Sequence, residues 1–366
     1  MSCVLFTEHP TADGHLIGEI CLNAERSLNA LTLEMIDLIQ PQLDRWQQDE
    51  RVVAVFLDSA GSKAFCAGGD VVNLYRSIKG DGDPDFPEAF FTREYRLDYT
   101  LHTYSKPVIC WASGIVMGGG MGLMNGCSHR VVTETSHLAM PEVTIGLYPD
   151  VGGSWFLNRM PGRSGLFLGL TGNPINAPDA LYLGLADRAL RSDMRDGFLQ
   201  RLQTLSWNGD AGGLISQVLR ELEQEAAASF AEMPAPIREH EALIRQITDH
   251  DTVQGMVAAL SALESDDKWV LRAKRAITHG SPLSIVMIHE QLKRSRHLSL
   301  KEVFQQELIL SVQCCRHEEF AEGVRALLVD KDNQPNWVFS SLDKVEPEFV
   351  AGLFKSPWPV NPLQDL

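Results

Sequence analysis

Apolar residues crowd His15–Leu22 and Val52–Asp58, short runs rich in β-branched side chains that read as strands. Between them the period changes. Leu33, Ile36, Ile39, Leu43 and Trp46 recur every three or four positions behind Thr32, a good N-cap, and predict a helix over Thr32–Gln48. The Gly/Asp/Pro cluster at 80–87 predicts a loop, followed by a long helix to about Ser105. Pro107–Ala112 and His129–Thr133 are two more buried-strand candidates, with a glycine-rich helical stretch between them. Strand–helix alternation runs to about residue 190. Beyond it the periods are helical, over 192–206, 210–230, 236–248, 252–264, 283–294 and 299–316, with a break near 278–282. The chain is therefore expected to be α/β, with a strand-bearing part over 1–190 and a helical region over 191–366.

With 366 residues, 44% of them apolar, the chain can bury a large core as one big domain or two modest ones. No run approaches the ~18 consecutive apolar residues of a membrane span. Met1–Pro10 lacks the features of a signal or transit peptide, so the expected compartment is cytoplasmic. Seven scattered cysteines with no C-x-x-C pair argue against a disulfide framework or a zinc cluster, and no metal is expected. A net charge of −16 argues against a nucleic-acid partner. It also means that a polyanionic ligand needs local help from backbone N–H groups and a few Lys or Arg.

Phosphate-loop, dinucleotide, zincin and α/β-hydrolase signatures are absent from the sequence. Four clusters remain. Ser62–Asp70 (SKAFCAGGD) follows a strand and leaves successive amides uncovered for a ligand oxygen, although the residues alone favour the plainer reading of a tight turn with Asp70 as an N-cap. Gly114–Gly122 carries three consecutive glycines at a strand-to-helix junction, which suits either an oxyanion at a helix N-terminus or close helix packing. Glu142, behind Met140-Pro141, and Asp150, in Tyr148–Gly153 (YPDVGG), are carboxylates in apolar surroundings that can divide acid and base roles; they are equally explained as a first-turn acid and an N-cap. Glu322–Asp332 reads as a surface turn, a packed apolar segment and a charged exit.

Taken together, Leu28–Leu31 (LNAL), Lys63–Asp70, Gly118–Gly120 and Pro141-Glu142 resemble the crotonase (enoyl-CoA hydratase/isomerase) superfamily in order and spacing. The resemblance implies a ClpP/crotonase-like fold of repeated ββα units, an acyl-CoA ligand, and an oxyanion hole from the amides of Gly69 and Gly119. Gly122 stands where hydratases carry their first catalytic glutamate, Glu142 keeps the second, and Asp150 replaces a usual glycine. With Ile145–Gly153 and the late run from Glu322 to Trp337, this resembles the 3-hydroxyisobutyryl-CoA hydrolases of valine degradation.

That resemblance implies hydrolysis of a short 3-hydroxyacyl-CoA, with Glu142 as general base or nucleophile. Asp150 would bind the 3-hydroxyl, position water or protonate the leaving thiolate, and Glu94 would sit in the acyl pocket. Ala67, Gly68 and Gly118 would line the substrate, with Arg26 and Lys63 as phosphate contacts or plain surface charges. CoA enters as substrate, so no cofactor is expected. The superfamily's frequent trimers and hexamers suggest a homo-oligomer, although the helical second half offers a cover for the usual contact. Two alternatives stay open: an enoyl-CoA hydratase/isomerase, and a non-catalytic acyl-CoA-binding protein.

Overall fold

The computed structural model describes residues 2–366. Among the described residues nine strands form: β1 (Val4–Pro10), β2 (Leu16–Leu22), β3 (Val52–Ser59), β4 (Ala64–Cys66), β5 (Val108–Ala112), β6 (Ile115–Met117), β7 (His129–Val132), β8 (His137–Ala139) and β9 (Arg188–Ala189). The larger sheet has the order β1-β2-β3-β5-β7-β9 and the smaller β4-β6-β8. β1 and β2 form an antiparallel pair, while β2, β3, β5, β7 and β9 run parallel. Parallel neighbours need long crossovers, and helices supply them. The helix Leu33–Gln48, capped by Thr32 accepting from the Met35 amide, links β2 to β3. Every residue of β5 is buried, as a strand covered on both faces requires. In β1 only Val4 is buried, so this edge strand carries little of the apolar signal that marks the others.

Two compact units follow from the contacts. The first comprises Met1–Gly69, Leu97–Leu138 and Ile175–Ala235. Its core sets Ile17, Phe56 and Trp111 of the sheet against Phe198, Leu202 and Trp207, with Trp111 and Phe198 stacked at 6.0 Å between centroids. Burial of such aromatic faces dominates the stability of a layer like this. Near this core Arg195 pairs with both Asp58 and Glu19. Burial nonetheless outweighs the guanidinium at Asp58, which is pushed up to about 6.

The second unit comprises Asp70–Arg96, Ala139–Pro174 and Pro236–Leu366 and is mainly helical. The helix expected over 236–248 is broken into Pro236–Glu239 and Glu241–Thr248. Lys268–His279 is a helix that the charged sequence hid: Val270, Ala273 and Ile277 face inward among exposed cations. The short helices Glu318–Val324 and Pro347–Leu353 were also not anticipated. The apolar segment expected to be packed after Glu322 is corrected. Arg325–Val329 is a π-helical turn in which Leu327, Leu328 and Val329 are 38%, 38% and 41% exposed. Arg325 ties that turn to Glu322, Asp330 and Asp332. Among the described residues no helix is long and apolar enough to cross a membrane.

Candidate active site

In the first unit β4 ends at Cys66, and the chain turns through Ala67, Gly68 and Gly69. The Leu28–Leu31 motif holds that turn: Ala67 N–H donates to Leu28 O at 3.1 Å and Leu31 N–H to Gly68 O at 2.8 Å. Asn29 braces it, its amide donating to the carbonyls of Ala60 and Ala64 while its Oδ1 accepts from the Ala24 amide. Gly68 has φ +124°, a conformation that side-chain-bearing residues avoid. β6 leads into Gly118, at φ 47° and ψ −119°, and the helix Gly119–Gly126. Gly118 O accepts the amides of Met121 and Gly122, so the Gly119 and Gly120 amides belong to the uncommitted first turn, at the positive end of the helix dipole.

A Cβ on Gly120 would lie 2.3 Å from Cys66 O, so glycine there lets the helix start approach the β4 turn. The packing reading of the glycine run is met at Gly120, while the Gly119 amide has no intrahelical acceptor. Arg26, in the turn Glu25–Ser27, and Lys63, just ahead of β4, are exposed. Asp70 in the second unit is an N-cap, accepting from the Asn73 amide, as the plainer reading had it.

The second unit carries the carboxylates. Glu142 opens the 3₁₀ turn Glu142–Ile145 behind Pro141, and its side chain is 4% exposed. Its Oε2 is buried without a hydrogen-bond partner. Burial, reinforced by the nearby Asp150, holds its pKa well above the usual carboxylate range. Asp150 is 5% exposed and does not cap the next helix, whose N-cap is Gly152. Its Oδ2 lies 2.6 Å from the Tyr95 hydroxyl, and burial pushes it up to about 6. Glu94, beside Tyr95 on the helix Phe86–His102, is 2% exposed.

The sequence did not mark what surrounds Asp150. Tyr95 OH and Tyr148 OH each lie 2.6 Å from Ser311 Oγ, and Tyr148 OH donates to the backbone carbonyl of Glu307 at 2.7 Å. The Glu307 carboxylate accepts from the amides of Gly152 and Ser154 and from the Ser154 hydroxyl at 2.7, 3.0 and 2.6 Å. Burial raises it to about 8 against those donors. Between Asp150 and Gly152, Val151 has φ +52°, a true outlier for a β-branched residue. One signal was available. On the helix Leu300–Cys315, Glu307 and Ser311 lie four apart on the face that buries Val303, Phe304 and Leu308.

The sequence profile of the enoyl-CoA hydratase/isomerase family matches residues 17–354. The mitochondrial 3-hydroxyisobutyryl-CoA hydrolase of Danio rerio is 38% identical over 341 residues, covering 93% of this chain and 87% of that protein. A solved carnitinyl-CoA dehydratase from Mycobacterium thermoresistibile superposes with a TM-score of 0.86 at 34% identity, covering 98% of each chain. An enoyl-CoA hydratase from Rhodobacter sphaeroides 2.4.1 gives 0.83 at 31%, covering 97% of this chain and 98% of that one. The fold is thus the crotonase fold that the motifs implied. The mitochondrial name of the zebrafish relative runs against the cytoplasmic expectation; seven free cysteines ask only for a reducing compartment. With matches spanning nearly its whole length, the chain belongs to the enoyl-CoA hydratase/isomerase family, on the branch that holds the 3-hydroxyisobutyryl-CoA hydrolases.

Proposed function

We propose that this protein hydrolyses 3-hydroxyisobutyryl-CoA to 3-hydroxyisobutyrate and CoA. The observation that carries the reading is the pair of buried carboxyl groups, Glu142 and Asp150, in a chain whose position 122 is glycine. Adding water across a double bond needs an acid and a base on either side of it. Cleaving a thioester needs one group to deliver water or attack, and a second to manage the leaving thiolate.

In this reading the thioester carbonyl accepts from the amides of Gly69 and Gly119. Such preorganised donors are worth about 2.7–4 kcal/mol each as charge develops on the oxygen. Glu142, raised in pKa and carrying an oxygen with no hydrogen bond, is a stronger base than a solvated carboxylate. It acts on water or on the carbonyl carbon directly. Asp150 serves the 3-hydroxyl, the water or the leaving group, and Glu94 supports the acyl end. Ala67, Gly68 and Gly118 lend backbone to the substrate, and Arg26 and Lys63 meet the CoA phosphates. Residues 1–190 carry the chemistry, and the helical region 191–366 helps to hold CoA.

The test is thiol release, followed with a chromogenic disulfide, from 3-hydroxyisobutyryl-CoA, 3-hydroxypropionyl-CoA and crotonyl-CoA. Fast release from the hydroxyacyl thioesters, lost in Glu142→Gln, supports hydrolysis. Loss of enoyl absorbance from crotonyl-CoA without thiol release means a hydratase, the activity in the name of the superposed Rhodobacter sphaeroides structure. Binding without turnover of any of the three means an acyl-CoA-binding protein.

A further inference from the structure

Asp150 ends a chain of hydroxyl groups that can be counted proton by proton. Four short contacts link it in series: Asp150 Oδ2 to Tyr95 OH at 2.6 Å, Tyr95 OH to Ser311 Oγ at 2.6 Å, Ser311 Oγ to Tyr148 OH at 2.6 Å, and Tyr148 OH to Glu307 O at 2.7 Å. Each needs one proton between its oxygens. Three hydroxyls bring one proton each, and the last acceptor, a backbone carbonyl, brings none. With Asp150 ionised, three protons must serve four contacts, and one buried pair of oxygens meets lone pair to lone pair. With Asp150 protonated the count closes. Asp150 donates to Tyr95, Tyr95 to Ser311, Ser311 to Tyr148, and Tyr148 to the Glu307 carbonyl.

We infer that this hydroxyl chain keeps a proton on Asp150, which makes Asp150 the acid that protonates the departing CoA sulfur. The inference rests on the hydrolase reading and selects one of the three roles open to Asp150. Once Glu142, or a water that has given its proton to Glu142, has added to the carbonyl carbon, the C–S bond breaks, its electron pair goes to sulfur, and the thiolate takes the Asp150 proton. A thiolate, whose thiol has a pKa near 8.5, is a stronger base than the Asp150 carboxylate, so the transfer runs downhill. The new carboxylate then accepts from Tyr95, which accepts from Ser311, which accepts from Tyr148. The vacancy moves to the Glu307 carbonyl. The proton that water releases as it adds, directly when it displaces Glu142 from an anhydride or by way of Glu142 when water itself was the nucleophile, returns to Asp150, and the chain recovers its first orientation. Thioester and water have become acid and thiol, with no other reactant consumed. Tyr95, Ser311 and Tyr148 are positioning residues, acting only through Asp150.

The surroundings favour the neutral form. The titratable groups near Asp150 are Glu142 on the preceding turn, Glu94 and Tyr95 on the helix Phe86–His102, Tyr148, and Glu307, Cys314 and Cys315 on the helix Leu300–Cys315. None of these is a cation. Burial holds Asp150 at about 6 even with Tyr95 donating to its anion. The proton shortage cancels part of that donation and raises the group further.

The proton count predicts opposite signs for variants on one chain, which a merely structural role does not. In Ser311→Ala two hydroxyls serve two remaining contacts, so ionised Asp150 is fully satisfied, and the same holds in Tyr148→Phe. The basic limb of kcat/KM, where activity is lost as Asp150 deprotonates, should move down by about one pH unit in both, the tenfold equilibrium shift expected from one hydrogen bond. Tyr95→Phe leaves a buried carboxylate without its donor, so there the limb should move up. The Asp150 carboxyl stretch in the infrared, assigned by its loss in Asp150→Asn, should titrate in step with each limb. Shifts of the same sign in all three variants, or none, overturn the assignment, as does an ionised Asp150 across the active pH range. If the wild type releases no thiol, the hydrolase reading fails, while the infrared titration still decides where the proton sits.

Discussion

Gly120→Ala tests the oxyanion geometry at a residue that does not itself donate. A Cβ at Gly120 would stand 2.3 Å from Cys66 O and 2.9 Å from Cys66 Cβ, against the 3.0 Å below which real Cβ contacts are essentially unknown. The obstruction is backbone and cannot rotate away, so the helix start or the β4 turn must give by at least 0.7 Å, the difference between 3.0 and 2.3 Å. Gly119 lies on one of these segments and Gly69 on the other, so their two amides move apart. A misplacement of about 1 Å costs roughly 10²-fold in rate, the same order as losing one oxyanion donor. Alanine's helix propensity favours the variant by about 0.8–1 kcal/mol, but overpacking costs about 1–3 kcal/mol, so stability should fall slightly. Thiol-release assays should show kcat down about 10²-fold with KM nearly unchanged, since this contact strengthens only as the oxyanion forms. Gly352→Ala, with open space around its Cβ, is the control and should keep full activity. A Gly120→Ala enzyme within a few-fold of wild-type kcat would refute the placement of the oxyanion at these amides.

Three further outcomes follow from the same geometry. Glu142→Gln should fold normally and lose about 10²–10⁴-fold in kcat at every pH, read by thiol release and circular dichroism. Arg195→Leu leaves Asp58 and Glu19 without their shared cation; with the guanidinium 31% exposed, it should cost about 2–3 kcal/mol in urea unfolding, below the ~3–5 kcal/mol of a fully buried pair. Glu307 is raised from 4.5 to about 8 in the folded state, so its protonated form is favoured by folding. That contribution is complete below about 4.5 and lost as the pH rises through about 8. The stability advantage of wild type over Glu307→Gln, measured by urea unfolding across this range, should shrink as pH increases; an advantage that grows with pH would mean that Glu307 is folded as a carboxylate throughout.

What the sequence revealed depended on whether the signal was local. Thr32, the apolar stripe behind it, β2, β3 and β5 carry their period and cap within a few residues, and they form where expected. β1 escaped because this edge strand fully buries only Val4 and leaves its other side chains half-buried or exposed. Lys268–His279 escaped because only three buried positions, Val270, Ala273 and Ile277, sit among six charged or polar ones. Glu142 and Asp150 stood out through their Pro- and Gly-rich neighbours. The groups that govern Asp150 did not, because Tyr95 and Ser311 are separated by 216 positions and meet only in the fold. Polar residues on a buried helical face, such as Glu307 and Ser311, are the one clue of this kind that periodicity offers.

The segment around Asp150 also explains why one carboxyl group needs so much support. Val151 is held in a left-handed conformation that costs a β-branched residue about 1–3 kcal/mol. Glu307, favoured by burial in its protonated form, holds the amides of Gly152 and Ser154, and neutral hydrogen bonds of this kind return about 0.5–1.5 kcal/mol each. With glycine at 150, as in typical hydratases, none of this would be required, since no side chain would need aiming. The strain, the buried glutamate and the hydroxyl chain together make sense only if the position of the Asp150 oxygens, and the proton on them, matter to the reaction. Val151→Gly keeps Asp150 and relaxes about 1–3 kcal/mol of strain, but it also removes a side chain that is only 1% exposed, so stability should stay level or fall while kcat falls with the loss of aim. A Val151→Gly enzyme that gained stability at no cost in kcat would show that the strain is incidental.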